Sequence, residues 1–161
     1  MKKIVLQRDT LDKWEQHGMM RQTRRSCIMA NRQGLREIRA RMQELYIYDL
    51  YGFRGELKVL ANILYPYEQI NCIATGIHKG KRRMLVVTYY RLLIISTVFG
   101  SPAEIIEMNR ELVKNPTYRK KLFTSTVSFE SDGVPYRFDL VSRRVLELFV
   151  WAIGQPGPVR D

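Results

Sequence analysis

The spacing of apolar residues changes once along this chain, at Pro66. Before it, Leu35, Ile38, Met42 and Leu45 recur at three- and four-residue steps, and Leu57, Leu60, Ala61 and Leu64 do the same. Each set falls on one face of a helix, so the spacing predicts helices over residues 35–50 and 57–64, the second stopped by Pro66. After Pro66 the runs are short and rich in β-branched residues: 70–77, 84–88 and 91–97, punctuated by Lys79-Gly80-Lys81 and Tyr89-Tyr90. These read as strands joined by turns.

The flanks extend the pattern. Asp9 or Thr10 is placed to cap a short helix carrying Leu11 and Trp14, and residues 19–33 are expected to be helical as well. Ser101, Pro102 and Glu104 form a capping box followed by Ile105, Met108 and Leu112, which predicts a helix over 102–114 ending before Pro116. Residues 121–130 alternate, Ser131-Asp132-Gly133 signals a turn, and 134–140 pairs back as a hairpin. Ser142 then opens a last helix in which Val145, Leu146, Phe149 and Ile153 form a wide apolar stripe, stopped by Gly154 and Pro156.

The expected fold class is therefore α+β: a helical N-terminal arm, then a small antiparallel β-barrel or bent sheet with a C-terminal capping helix. The expected division is a basic arm over 1–55, a β domain with its terminal helix over 56–155, and a tail over 156–161.

Residues 57–96 carry a resemblance. Leu57, Leu60 and Leu64 are followed by Pro66, Glu68 and Ile70 as "P-x-E-x-I", then Gly76, then Leu85, Val86, Thr88, Arg91 and Leu92 as "L-V-x-T-x-x-R-L". The stretch resembles the opening of bacterial pleckstrin-homology-like (PH-like) domains of the YokE kind, and the final amphipathic helix fits that fold. The resemblance spans roughly residues 57–153. It implies a binding module in a bacterial or phage setting rather than an enzyme, although fold alone never fixes function. It departs from the family at 102–114, where a helix is predicted and the family continues with a strand.

Charge narrows the partners. The chain has 27 Lys and Arg against 16 Asp and Glu, a formal charge of +11. Residues 1–50 hold eleven basic and six acidic side chains, 51–100 hold seven and two, and 101–161 hold nine and eight. An anion-facing surface is thus expected in the first hundred residues. Two regions stand out. Arg21, Arg24, Arg25, Arg32, Arg36 and Arg39, with Tyr46 and Tyr48 after them, suit an acidic protein surface, the aromatic rings anchoring and the guanidinium groups steering. Lys79, Lys81, Arg82 and Arg83 surround a glycine in the first hairpin, and eukaryotic relatives of the PH-like fold bind phosphoinositide head groups with basic residues in the corresponding loop.

The leading expectation is a non-enzymatic adaptor or regulator with an acidic protein partner. The alternatives are nucleic acid on the same arginines, an anionic membrane surface on the hairpin, and self-association. Two cysteines and two histidines at scattered positions match neither a zinc site nor a disulfide framework, and no cofactor or catalytic motif is expected. The apolar run Ile4-Val5-Leu6 is short of a signal segment and Leu92–Phe99 is far below the ~20 residues a membrane helix needs, so a cytoplasmic protein is expected.

Overall fold

The computed structural model describes the backbone of residues 2–5 and residues 34–48, 50, 52–122 and 125–154. Helix α1 occupies residues 34–44. Helix α2 spans Arg54–Ile63 and helix α3 spans Leu146–Gly154. Eight strands complete the fold: β1 Lys2–Val5, β2 Ile70–His78, β3 Lys81–Thr88, β4 Arg91–Ser96, β5 Glu104–Asn109, β6 Val113–Lys120, β7 Ser125–Ser131 and β8 Val134–Asp139. They form one antiparallel sheet in the order β1-β5-β4-β3-β2-β8-β7-β6, with β1 and β6 outermost among the described residues. The fold is α+β, an open, bent sheet followed by a C-terminal helix, and it is consistent with a PH-like fold.

The predicted elements differ from the observed ones in several places, and two of them reshape the sheet. Residues 102–114 are not helical: the chain makes β5, a single 3-10 turn at Arg110–Leu112, and the start of β6. Local propensity loses to pairing, because β4 would otherwise have a bare edge, and Arg91–Ser96 take up Asn109–Glu104 in unbroken register. The strand that the family resemblance calls for is therefore present. Residues 2–5, assigned to a helical arm, form β1 on the far side of β5. The helices expected near residues 10–17 and over 19–33 lie outside the described residues, as does the 156–161 tail.

The core lies on both faces of the central strands β3 and β4. Strand β4 is buried along its whole length and β3 from Arg83 onward, so their runs read as nearly continuous apolar stretches. Helix α2 rests on β4, and α3 rests on β2, β3 and β6. The predicted stripe of α3 is the buried one: Leu146, Phe149 and Ala152 are fully buried and Val145 and Ile153 nearly so. Each large side chain contributes about 1.5–3 kcal/mol by leaving water. Ile38, Ile47, Leu50 and Phe53 belong to the same core cluster, which ties α1 and the segment after it to the sheet.

The bend sits in β2. This strand pairs with β3 along its length but with β8 only at Ile77–Asp139. Gly76 lies at the corner, and a Cβ there would stand 3.0 Å from Val141 and 3.1 Å from Phe138. Only glycine lets the two halves of the sheet close this tightly.

Candidate binding surface

The motif residues behind the family resemblance form a buried clamp. In the turn Tyr65-Pro66-Tyr67-Glu68 the Glu68 amide donates to the Tyr65 carbonyl at 3.0 Å, and Tyr67 takes a φ of 67°, the geometry of a type II turn. That turn aims the Glu68 carboxylate inward, where Arg91 Nε donates to Oε1 at 2.8 Å and Nη2 to Oε2 at 2.7 Å. Thr88 Oγ1 donates to Oε1 at 2.7 Å, and Arg91 Nη2 also reaches the Ile63 carbonyl at 2.7 Å. A second carboxylate, Glu107, lies 3.0 Å from Arg91 Nη1, and the guanidinium packs over the Tyr65 ring at 4.2 Å. Burial works to raise the Glu68 pKa, but the bonds from Arg91, the Tyr65 amide and Thr88 outweigh it and hold the carboxyl below its ordinary range. The clamp joins the end of α2 to the β3–β4 hairpin and leaves none of these polar groups free for a ligand.

Other reactive side chains are similarly committed. Burial pushes the Cys72 thiol up to about 12, far from a nucleophilic thiolate. His78 Nδ1 donates to the Arg137 carbonyl at 2.7 Å and its ring packs against Tyr136 and Phe138. Glu56 accepts from the Thr97 amide at 3.1 Å and hydroxyl at 2.8 Å, pinning α2 to the end of β4. Among the described residues no group of three or more His, Cys, Asp or Glu is placed to hold a metal ion, and no helix is long and apolar enough to cross a membrane.

The sequence-selected cations separate into three groups. Arg21, Arg24, Arg25 and Arg32 lie outside the described residues. Arg36 and Arg39 are exposed on α1 and, with Gln43, line one open concavity on its outer side. The hairpin cluster is not a single loop: only Lys79 and Gly80 form the turn, with φ of 49° and 73°, a type I′ arrangement. Lys79 and Lys81 are exposed, whereas Arg82 and Arg83 already belong to β3 and point to opposite faces. The Arg82 guanidinium lies over the Phe53 ring at 4.5 Å. Arg83 is buried with its Nη1 3.1 Å from Glu104 Oε2, so it faces the interior rather than an incoming anion.

Tyr46 and Tyr48 are exposed, 76% and 57%. Their position follows from how α1 ends. The Ile47 amide donates to the Met42 carbonyl at 2.9 Å and the Tyr46 amide to the Gln43 carbonyl at 3.0 Å, the paired bonds of a Schellman cap. Tyr46 takes the left-handed position, φ 55°, where glycine is usual and an aromatic residue carries roughly 1 kcal/mol of strain. The helix therefore stops at residue 44 rather than 50. Ile47 and Leu50 turn into the core, leaving both tyrosines beside Thr75 of β2 and Arg144, at the start of the α3 segment. None of Arg36, Arg39 and Arg144 is in an ion pair among the described residues.

Two features escaped the sequence reading. Arg144 lies almost a hundred residues beyond Tyr48 and nothing local marks it. Phe99 is fully exposed and Val98 59% exposed in the β4–β5 connection; this connection shares an end of the sheet with the Lys79-Gly80 turn, as the Ser96 hydroxyl bond to the Arg82 carbonyl at 3.2 Å attests. An apolar pair just past the predicted strand 91–97 is the available signal, but in the sequence it stands out only as part of the apolar run Leu92–Phe99 that is too short to cross a membrane. No family model matches the chain, and no curated protein is similar to it in sequence.

Proposed function

We propose that the protein is a non-enzymatic binding module that recognises an acidic protein surface through the face built by α1 and the segment after it. One observation carries this reading: exposed Arg36, Arg39 and Arg144 without carboxylate partners among the described residues, with two exposed tyrosines at the end of the same helix. Aromatic anchors flanked by unpaired guanidinium groups suit a carboxylate-bearing partner, with rings supplying buried area and cations supplying steering. The burial of Cys72 and the commitment of His78, Glu56 and Glu68 to internal partners support a non-enzymatic role.

The test is affinity capture with nuclease-treated lysate, comparing the natural chain with Arg36→Glu/Arg39→Glu. Acidic proteins retained by the natural chain, released by salt and lost with the double variant are the expected result. Retention that disappears on nuclease treatment replaces this reading with nucleic-acid binding.

Phe99 favours a second reading, docking on an anionic membrane. A fully exposed phenylalanine beside Val98, at the same end of the sheet as exposed Lys79 and Lys81, combines an interfacial anchor with lipid-facing charge. Co-sedimentation with phosphatidylserine vesicles that is lost in both Phe99→Ser and Lys79→Glu/Lys81→Glu is expected on this reading. Equal sedimentation of the variants would remove it.

A further inference from the structure

Beyond β8 and β7, strand β6 is the outermost strand among the described residues. Its first half is irregular. Asn115 takes a left-handed φ of 51° and the register with β7 shifts between Lys114 and Thr117; Pro116, which has no amide proton to donate, lies inside the shift. The second half, Thr117–Lys120, pairs with β7 without a break, and all four residues are exposed. An antiparallel strand turns the amides and carbonyls of alternate residues to opposite sides, so two of these four point theirs away from β7.

The two faces of this stretch differ. On one side the Lys120 ammonium pairs with Glu147 and Arg110 Nη1 donates to the Ala152 carbonyl at 3.4 Å, so α3 runs antiparallel along β6. Tyr118 shares the face of Lys120 and is 38% exposed, and Trp151, one helical turn after Glu147, is 58% exposed. The other face carries Arg119, exposed and in no ion pair among the described residues. Across the pair Lys114 faces Glu130, four residues from Thr126, which faces Arg119. Both cations therefore lie on one face, and Arg119 is the one with no carboxylate opposite it.

We propose that β6 is a docking edge and that its occupant is an extended segment of a protein partner in which acidic and apolar residues alternate. The segment continues the sheet beside Thr117–Lys120, its backbone taking up the outward amides and carbonyls. The alternation follows from the two faces: every second side chain comes beside Tyr118, and the ones between come beside Arg119, where a carboxylate completes the pair. Charge disfavours a second copy of this chain, because Lys114, Arg119 and Lys120 would then stand along both strands. The site uses no residue of the α1 face, so the two readings fail separately.

The test titrates peptides of about eight residues into the isotopically labelled full chain and follows amide chemical shifts. The first alternates glutamate and valine, and the second carries lysine in place of glutamate. Two more are the first peptide N-methylated at every glutamate or at every valine, which removes the amide protons along one edge of the strand or the other. The glutamate peptide is expected to move Thr117–Lys120 most, and the lysine peptide to bind at least about tenfold more weakly. The N-methylated peptide that turns its methyl groups to β6 is expected to lose at least about tenfold in affinity, and its counterpart to keep it. Arg119→Glu is expected to weaken the glutamate peptide at least about fivefold, whereas Lys58→Glu, the same change of charge at an exposed site on α2, keeps it.

Equal binding of the two N-methylated peptides means attraction without strand pairing and overturns the proposal, as does unchanged affinity in Arg119→Glu. Absence of binding, or shifts confined to residues outside β6, overturns it as well. Concentration-dependent broadening of the β6 amides in the protein alone makes a second copy the occupant and replaces it.

Discussion

At Gly76 the Asp139 carbonyl oxygen would lie 3.2 Å from an added side chain, and Phe138 and Val141 close the remaining space. Gly76→Ala must therefore push β2 away from β8 at their one pairing point. Overpacking of this kind costs about 1–3 kcal/mol, and urea unfolding of the variant is expected to show that loss. Cys72 gives a chemical readout of the same interior. With its thiol pushed up to about 12 by burial, it should resist iodoacetamide at pH 8 in the folded protein and react once denatured, as peptide mapping can establish; rapid labelling without denaturant would contradict the buried placement. Single residues were unevenly legible in the sequence. Gly76 was picked out as part of a motif, but the reason for it, a contact with residues more than sixty positions away, was not. Arg82 and Arg83 were grouped with Lys79 and Lys81 because adjacent charges look alike in a string. In β3 their alternation sends one to Phe53 and the other to Glu104.

Between elements, the Glu68–Arg91 pair decides how α2 meets the β3–β4 hairpin. Glu68→Gln removes the charge that Arg91 faces most closely, although Glu107 remains 3.0 Å away. The expected destabilisation is about 3 kcal/mol, the lower end for breaking a buried pair. It should depend on pH in a definite direction. The folded carboxyl sits below its ordinary value of 4.5, so its contribution is fully present above pH 4.5 and is lost as pH falls through the folded value. The stability gap between natural protein and Glu68→Gln, measured by guanidinium unfolding, should shrink below pH 4.5; a gap that stays constant would refute the linkage. Helices α2 and α3 and strands β2, β3, β4, β7 and β8 were readable because their apolar spacing and stop signals agree. Strand β5 was not. Ile105 and Met108 satisfy a three-residue step as well as a strand, and Ser101-Pro102 with Glu104 imitates a capped helix. What settles it is the bare edge of β4, which no window of local sequence contains.

Across the whole molecule, protection should follow the two-sided burial of β3 and β4. Amide exchange is expected to be slowest at Leu85–Val87 and Leu92–Ile95, where strands are covered on both faces, and fastest at Thr117–Lys120 of edge strand β6. Uniform protection across β3 and β6 would contradict this division. The sheet was legible as a type of architecture, but the burial of β3 and β4 on both faces was not, because that depends on where the helices pack. The same holds for the binding face: Tyr46 and Tyr48 were identifiable as aromatic residues after a basic helix, while Arg144 joins them only through the fold. Tyr48 lies between two fastenings, Ile47 in the core and Phe53 beneath Arg82, so its outward ring is held in place by its neighbours and not by contacts of its own. The Tyr48 side chain can be exchanged with the scaffold unchanged, which makes partner choice the trait most easily retuned, by evolution or by a protein engineer.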